Sequence, residues 1–376
     1  IGNSPNALAP SSSPGYGTGI TAIFCPIDWQ LQKTNPSTVP MFKDLISQSK
    51  HCSSQQIKVD MLDIVQQAKT YDNESTMDND NNRNKDHRVK VHAMKPKGFV
   101  FHETRCGSTL VANSLAAFDP LSNRVFSESP PPVAALKACT GRSSRHCDTE
   151  KAAQLFRDVV YLMGRTSDVH ETNLFFKMQS VSVQSISVFT KAFPTTPWMF
   201  VYRDSVEVMM SHYKNKLKGG AVCTRAKSHP PPLLQQVVDE QSANTNSVSK
   251  LSIEEFCAVH LASLSKSALD EYQQQQQEEE TTRYGTFVNY NQLPQIMWES
   301  ILPTHFGFQD KLTKQHAENI QKVSGFYSKG RDHKANKEWK EDSTKKQESA
   351  PEVVQQAANT YMKPYFDQME ELNPYK

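Results

Sequence analysis

The chain has 376 residues and a formal net charge of +2, with 37% hydrophobic and 22% charged residues. That length fits one large or two medium domains around a substantial core. The near-neutral balance announces no nucleic-acid or polyanion-binding face, and no apolar run approaches the ~20 residues of a membrane span.

Residues 1–20 are rich in Pro, Ser and Gly and read as poorly ordered. The chain begins at Ile1 rather than methionine, which leaves room for a removed targeting or anchoring segment. From 21 to 70 the apolar spacing is mixed, with a helix expected from about Val59 to Ala68 on Met61, Leu62, Ile64 and Val65. Tyr71 to Arg88 is dense in Asn and Asp and reads as a mobile loop; it carries a glycosylation sequon, Asn73-Glu-Ser75. Asp78-Asn-Asp-Asn-Asn82 starts like a calcium loop. Arg83 stands where the glycine belongs and Val89 where the bidentate glutamate belongs, so no metal is expected. Residues 1–95 are thus read as an N-terminal extension and 96–376 as the main domain.

Within that domain, strands are expected near 98–102, 124–127, 173–177, 198–202 and 284–288. Helices are expected near 108–118, 150–164, 181–192, 204–217, 252–276, 291–301, 313–324 and 351–370. Such alternation marks an α/β fold, three-layer α/β/α around a central parallel sheet. Residues 219–250, with Pro230-Pro-Pro232, read as a long irregular insertion, and Gln273–Gln277 before Glu278–Glu280 as a solvated helix end.

The first strand ends in a distinctive way. Phe99-Val-Phe-His-Glu-Thr-Arg-Cys-Gly-Ser-Thr-Leu110 runs from an apolar strand through a one-glycine turn into a helix opened by Ser108 and Thr109. Backbone amides and a helix N-terminus then converge on one spot, a means of holding a phosphate. The nucleotide-kinase loop G-x-x-x-x-G-K-[ST] is absent: Ser108 follows Gly107, and the cation, Arg105, precedes the glycine. Later, Pro197-Trp-Met-Phe-Val-Tyr-Arg-Asp-Ser-Val-Glu-Val-Met-Met-Ser-His212 puts Arg203 at a strand end and Ser211 about two helical turns on. An arginine fork and a hydroxyl there suit a second phosphate.

Together these segments resemble the sulfotransferase superfamily, which transfers a sulfuryl group from 3′-phosphoadenosine 5′-phosphosulfate (PAPS) and releases adenosine 3′,5′-bisphosphate (PAP). Thr104-Arg-Cys-Gly-Ser-Thr109 resembles the family's 5′-phosphosulfate loop in the arginine-containing form of the tyrosylprotein and bacterial-type branches. The resemblance implies a P-loop-type fold with Arg105, Cys106, Gly107, Ser108 and Thr109 on the 5′ end and Arg203 and Ser211 on the 3′-phosphate. Lys177, in Asn173-Leu-Phe-Phe-Lys-Met178, stands where the family keeps a strand lysine, and Phe287-Val-Asn-Tyr-Asn-Gln-Leu293 is similar to its late strand-to-helix segment. Ser328-Lys-Gly-Arg331, followed by Trp339 and Asp342, resembles a basic loop closing over the nucleotide through Lys329 and Arg331. The resemblance covers about residues 97 to 372; the first ninety-odd residues match nothing familiar.

Sulfuryl transfer to a hydroxyl needs a base for the acceptor and a cation for the leaving oxygen. Glu128, at the end of the next short strand in Val125-Phe-Ser-Glu-Ser-Pro130, is the expected base, as a glutamate at this spacing is in the tyrosylprotein branch. Gln179 stands where the cytosolic branch has a histidine; His102 and His212 are lesser candidates. Lys177 is expected to neutralise charge on the bridging oxygen. The donor carries its own leaving group, so no metal is required. The acceptor stays open among a glycan, a protein tyrosine and a hydroxylated metabolite, with residues 1–95 and 219–250 shaping its cleft. Two other readings are a P-loop kinase or phosphotransferase, which a magnesium–ATP requirement would favour, and a non-catalytic nucleotide-binding protein on the same fold.

Of seven cysteines, Cys106 lies in the loop and reads as a free thiol. The other six allow fifteen pairings. Cys139 and Cys147 suggest a disulfide-closed loop, and Cys223 with Cys257 brackets the insertion, but the sequence does not choose. An even set plus a sequon favours a secretory lumen such as the Golgi over the cytoplasm.

Overall fold

The computed structural model describes residues 16–17, 19–77, 89–139, 148–213, 221–241, 247–277, 284–328, 337–338 and 340–376, the side chains of 75–77, 139, 276 and 277 excepted. Two short strands, β1 (Thr21–Phe24) and β2 (Ile57–Asp60), pair antiparallel and flank α1 (Gln30–Thr34) and α2 (Phe42–Gln48). Next come α3 (Met61–Met77) and β3 (His92–Ala93). The central unit follows: β4 (Pro96–His102), α4 (Ser108–Phe118), β5 (Asn123–Ser127), α5 (Pro130–Leu136), α6 (Thr149–Gly164), β6 (Arg165–Thr166), β7 (Asn173–Lys177), α7 (Ile186–Ala192), β8 (Trp198–Tyr202) and α8 (Ser205–Tyr213). The chain continues through α9 (Pro232–Gln241), α10 (Ile253–Gln277), β9 (Gly285–Asn289), α11 (Lys314–Ser324), α12 (Ser343–Glu348), α13 (Glu352–Ala357) and α14 (Lys363–Leu372).

Five strands form a parallel sheet in the order β5-β7-β4-β8-β9. Their apolar runs are continuous because helices cover both faces. Side chains alternate between the two faces: Phe99, Phe101, Trp198, Phe200 and Tyr202 enter one core, Val100, Met199 and Val201 the other. The first core packs against α6, α7 and α10, and includes Phe156, Phe189 and Leu261. The second packs against α4, α11 and a π-helical segment, through Leu115, Ile301 and Ile320. These three layers are the expected α/β/α arrangement. From β4 the chain first builds β5 and β7 on one side, then β8 and β9 on the other. The carboxyl end of β4 is therefore a topological switch point, where ligands bind in open sheets.

The segment before β4 is fastened to the sheet edge. Gln32 exchanges two hydrogen bonds with the backbone of Val125 on β5, at 2.9 and 3.3 Å, so the edge strand's groups are satisfied by a side chain. Trp29 meets Phe126 edge-on at 4.9 Å, and Lys33 bridges Asp168 and Glu171 at 3.0 and 3.2 Å.

Several boundaries differ from expectation. α3 runs to Met77, beyond its expected end at Ala68 and through the first residues of the expected mobile loop. Tertiary bonds outweigh the weak helix propensity of its Asn and Asp: Asp72 pairs with Arg165 at 2.6 Å and accepts from Tyr161, and Tyr71 donates to the Val89 carbonyl. Residues 78–88 lie outside the described residues, as do the Asp78–Asn82 run and the side chain of Ser75 in the sequon. The expected helix at 291–301 is a 3-10 turn at Tyr290–Gln292, then a π-helical stretch over Met297–His305. Pro303 has no N–H to give, and Phe306 N donates instead to Ile301 O, five residues back. The insertion expected to be irregular contains α9, and Cys223 bonds Cys257 on α10, while Cys25 bonds Cys52. Cys147 and the Cys139 side chain lie outside the described residues. Among the described residues, no helix is long and apolar enough to cross a membrane.

Candidate functional site

Above the carboxyl ends of β4, β5, β7 and β8 opens a cavity of about 1440 Å³. Its floor is the loop between β4 and α4. Arg105 (φ 65°) and Gly107 (φ 86°) both take the left-handed conformation, which curls the backbone between them. At Gly107 a Cβ would lie 2.2 Å from the Tyr290 ring, so close approach as well as φ requires glycine. α4 starts at Ser108 behind Gly107, which has no side chain to cap it, so the helix N-terminus lies at the cavity. Arg105 is exposed at the rim of this cradle.

Beneath the loop, Glu103 is buried and accepts a hydrogen bond from the Arg203 amide at 2.7 Å. Burial pushes its carboxyl up to about 8. Cys106 is buried too. Its side chain turns into the core and donates to the Glu103 carbonyl at 3.0 Å, leaving only its backbone for a ligand. Burial, then the Glu103 charge, pushes the thiol up to about 12.

β5 and β7 end side by side, Ser127 opposite Lys177. The next residue, Glu128, has φ 55°, an unusual conformation for a non-glycine residue. Its amide donates to the Lys177 carbonyl at 2.7 Å, and its carboxylate meets the Lys177 ammonium. Lys177 is only 1% exposed, whereas Glu128 is half-buried at the cavity wall. A strained turn thus holds a carboxylate over a buried cation.

The two histidines are poorly placed as bases. His102 lies 3.8 Å from Glu128, but burial and then the Lys177 charge push it down to about 3. Its neutral ring has one N–H, facing the Glu103 carbonyl at 2.6 Å or the Met178 carbonyl at 2.9 Å. His212 meets the Thr104 hydroxyl; burial, then Arg105, push it down to about 4.

Arg203 closes β8 and is buried. Its guanidinium lies over the Tyr290 ring at 4.2 Å, pairs with Glu207, reaches Asp342 at 3.3 Å and donates to the Ser343 hydroxyl at 3.0 Å. Ser211, two turns along α8, donates to the Glu207 carbonyl at 2.9 Å. Lys346 pairs with Asp342 at 2.8 Å, so α12 and the N-cap residue before it bring a cation and a carboxylate to the arginine.

Arg105, Gly107 to Thr109, Glu128, Lys177, Arg203 and Ser211 therefore share one cavity. Lys329, Arg331 and Trp339 lie outside the described residues.

No protein-family model matches this chain, and no curated protein matches it. Among solved structures, it is similar to the crystal structure of sulfotransferase STF9 from Mycobacterium avium, at 13% identity and a TM-score of 0.41, over 82% of this chain and 84% of that one. It is also similar to the sulfotransferase domain from the curacin biosynthetic pathway, at 13% identity and a TM-score of 0.36, over 76% and 94% of the two chains. Likenesses at this level leave the chemistry to be read from the cavity.

Sequence reasoning missed several of its residues. Tyr290 lies in the segment Phe287–Leu293, yet the resemblance there assigns it no role; its ring packs against Gly107 and under Arg203. Glu207 follows Arg203 by one helical turn, a spacing that signals a pair. Lys137 and His260 line the cavity from α5's end and from α10, far apart in sequence.

Proposed function

We propose that this protein is a PAPS-dependent sulfotransferase acting on an acceptor hydroxyl. The observation that carries the reading is the Glu128–Lys177 pair, set at adjacent strand ends beside the uncapped N-terminus of α4, in one cavity. A sulfuryl donor needs an anion cradle, a cation at the bridging oxygen and a base across from them, and these residues supply each.

The loop from Arg105 to Thr109 would hold the 5′-phosphosulfate, and Arg203 with Ser211 the 3′-phosphate. Tyr290 supports the fit, since it fixes the plane of the Arg203 fork. Glu207 and Asp342 already pair with that fork, so Asp342, on the more exposed side, has to yield to a phosphate. Lys329 and Arg331 are proposed to close over the nucleotide. The donor supplies an activated sulfuryl group. Glu128 takes the proton of the acceptor hydroxyl, whose oxygen bonds to sulfur as the bond to the 5′-phosphate oxygen breaks. Lys177 steadies the charge left on that oxygen, and PAP departs. The two disulfides among the described residues suit an oxidising compartment, which favours a secretory lumen such as the Golgi.

A thermal-shift titration with PAP, set beside ADP and magnesium–ATP, tests this. Saturation at one hundred times the dissociation constant stabilises by about 2.7 kcal/mol. Stabilisation by PAP alone is expected. An equal response to ADP, or a preference for magnesium–ATP, would replace the reading with a kinase.

A further inference from the structure

The cavity has a second wall that the donor residues leave unused. It is formed by Lys137 at the end of α5, Arg225 in the turn after Cys223, and His260 on α10. His260 is 5% exposed, and among the described residues neither of its ring nitrogens has a hydrogen-bond partner. By contrast, His102, His212 and His305 each meet one. Leaving a buried donor or acceptor unsatisfied is costly, so such a side chain in a cavity wall marks a place for a ligand's polar groups.

The chemistry of that ligand can be narrowed. Burial, then the Lys137 cation, push His260 down to about 4, so at neutral pH it offers one donor and one acceptor. A hydroxyl can use both. Lys137 and Arg225 add positive charge to the same wall. Aromatic residues lining the cavity, Tyr290 and Tyr327, stand on the donor side, Tyr290 beneath Arg203 and Tyr327 next to Ser328. Among the described residues, no Phe, Tyr or Trp ring stands on this wall for a phenol to stack on, whereas a polyhydroxylated anion meets a donor, an acceptor and cations. α5 starts at Pro130, two residues after Glu128, and spans about 10 Å to Lys137. A ligand reaching from one to the other is longer than a single functional group. The disulfide from Cys223 to Cys257 ties the turn carrying Arg225 to α10 one helical turn before His260, which holds the wall in place.

We infer that this wall is the acceptor subsite and that the acceptor is an acidic saccharide. His260 binds a sugar hydroxyl and Lys137 a carboxylate, so that another hydroxyl of the chain faces Glu128. The assignment rests on the sulfotransferase reading, and the two fail separately.

The test is direct binding to PAP-saturated protein, by calorimetry. The probes are a tetrasaccharide of alternating glucuronate and N-acetylglucosamine, the same tetrasaccharide with its carboxylates reduced to alcohols, and a tyrosyl peptide. The acidic tetrasaccharide is expected to bind, and the other two to bind at least tenfold more weakly, about the effect of one charge-assisted bond. Lys137→Ala and His260→Ala should each weaken it about tenfold with PAP affinity unchanged, and His260→Gln, which keeps a donor and an acceptor, should restore most of the loss. Should His260→Ala not fold, Lys137→Ala and His260→Gln carry the test. PAP binding without tetrasaccharide binding, equal affinity for the reduced sugar, preference for the peptide, or variants with unaltered affinity would each overturn the subsite. Tetrasaccharide binding without any response to PAP would instead sink the sulfotransferase reading and leave the subsite standing.

Discussion

Glu128 and Arg105 occupy left-handed backbone without being glycine, and both lie at the candidate site. Strain of this kind costs on the order of 1–3 kcal/mol and persists where the surroundings hold it, here through the Lys177 pair and the Glu128 amide bond to β7. Glu128→Gln keeps the shape and removes the proposed base; turnover should fall about 10²–10⁴-fold with PAP affinity kept, measured by steady-state transfer and thermal shift. Gly107→Ala, by contrast, puts a methyl into the Tyr290 ring at a positive φ and should abolish PAP binding even where the fold survives. Cys106 has its thiol pushed up to about 12 and no exposure, so mass mapping after alkylation of the native protein should find it unmodified until denaturant is added. A rapidly labelled Cys106 would mean that the loop opens in solution.

At the scale of elements, the N-cap residue of α12 and the helix itself bring Asp342 and Lys346 to Arg203. A phosphate arriving at the arginine competes with the first and is aided by the second. Asp342→Asn should therefore tighten PAP binding severalfold, and Lys346→Ala should weaken it; the same thermal shift reads both, and unchanged binding in both variants would show that Asp342 and Lys346 stay out of the site. The disulfide between Cys223 and Cys257 closes a separation of 34 residues. Loop-closure entropy for such a loop is about 3–4 kcal/mol, so Cys223→Ser with Cys257→Ser should lower unfolding stability by roughly that amount, in denaturant titration. Strand ends and helix starts of the central unit were readable because their apolar runs switch abruptly from strand to helix periodicity at Phe99–Leu110 and Trp198–Met210. α3's extension and the π-helical stretch were not, since distant partners of Asp72 and the missing amide of Pro303 decided them.

Over the whole molecule, burial of titratable groups sets the response to acid. His102 is pushed down to about 3, and His212, His260 and His305 to about 4, all by burial first. In the unfolded chain these rings take up protons near the ordinary value of about 6.5, well before the folded ones do. Acidification therefore favours unfolding, and their stabilising contribution, complete above pH 6.5, drains away as pH falls toward 4. Glu103 works the other way: raised to about 8, it favours the folded state more as pH falls from 8 toward its unfolded value. Four groups outweigh one, and the melting temperature should fall by about 5 °C or more between pH 7 and pH 5. A flat profile would mean that the histidines are hydrated in solution.

The sequence by itself determined the parallel α/β core, the glycine turn after β4, and the placing of Arg105, Glu128, Lys177 and Arg203 at or just beyond strand ends. Those features rest on local patterns, apolar period and turn chemistry, which a linear reading holds. Only the tertiary structure decided that Tyr290 braces two distant residues, that Asp342 reaches the arginine, that Cys106 turns away, and that His260 faces the cavity with no hydrogen-bond partner among the described residues. Each of these joins residues tens to hundreds of positions apart or depends on which way a side chain points, and burial and distance in space, not order along the chain, fix such relations.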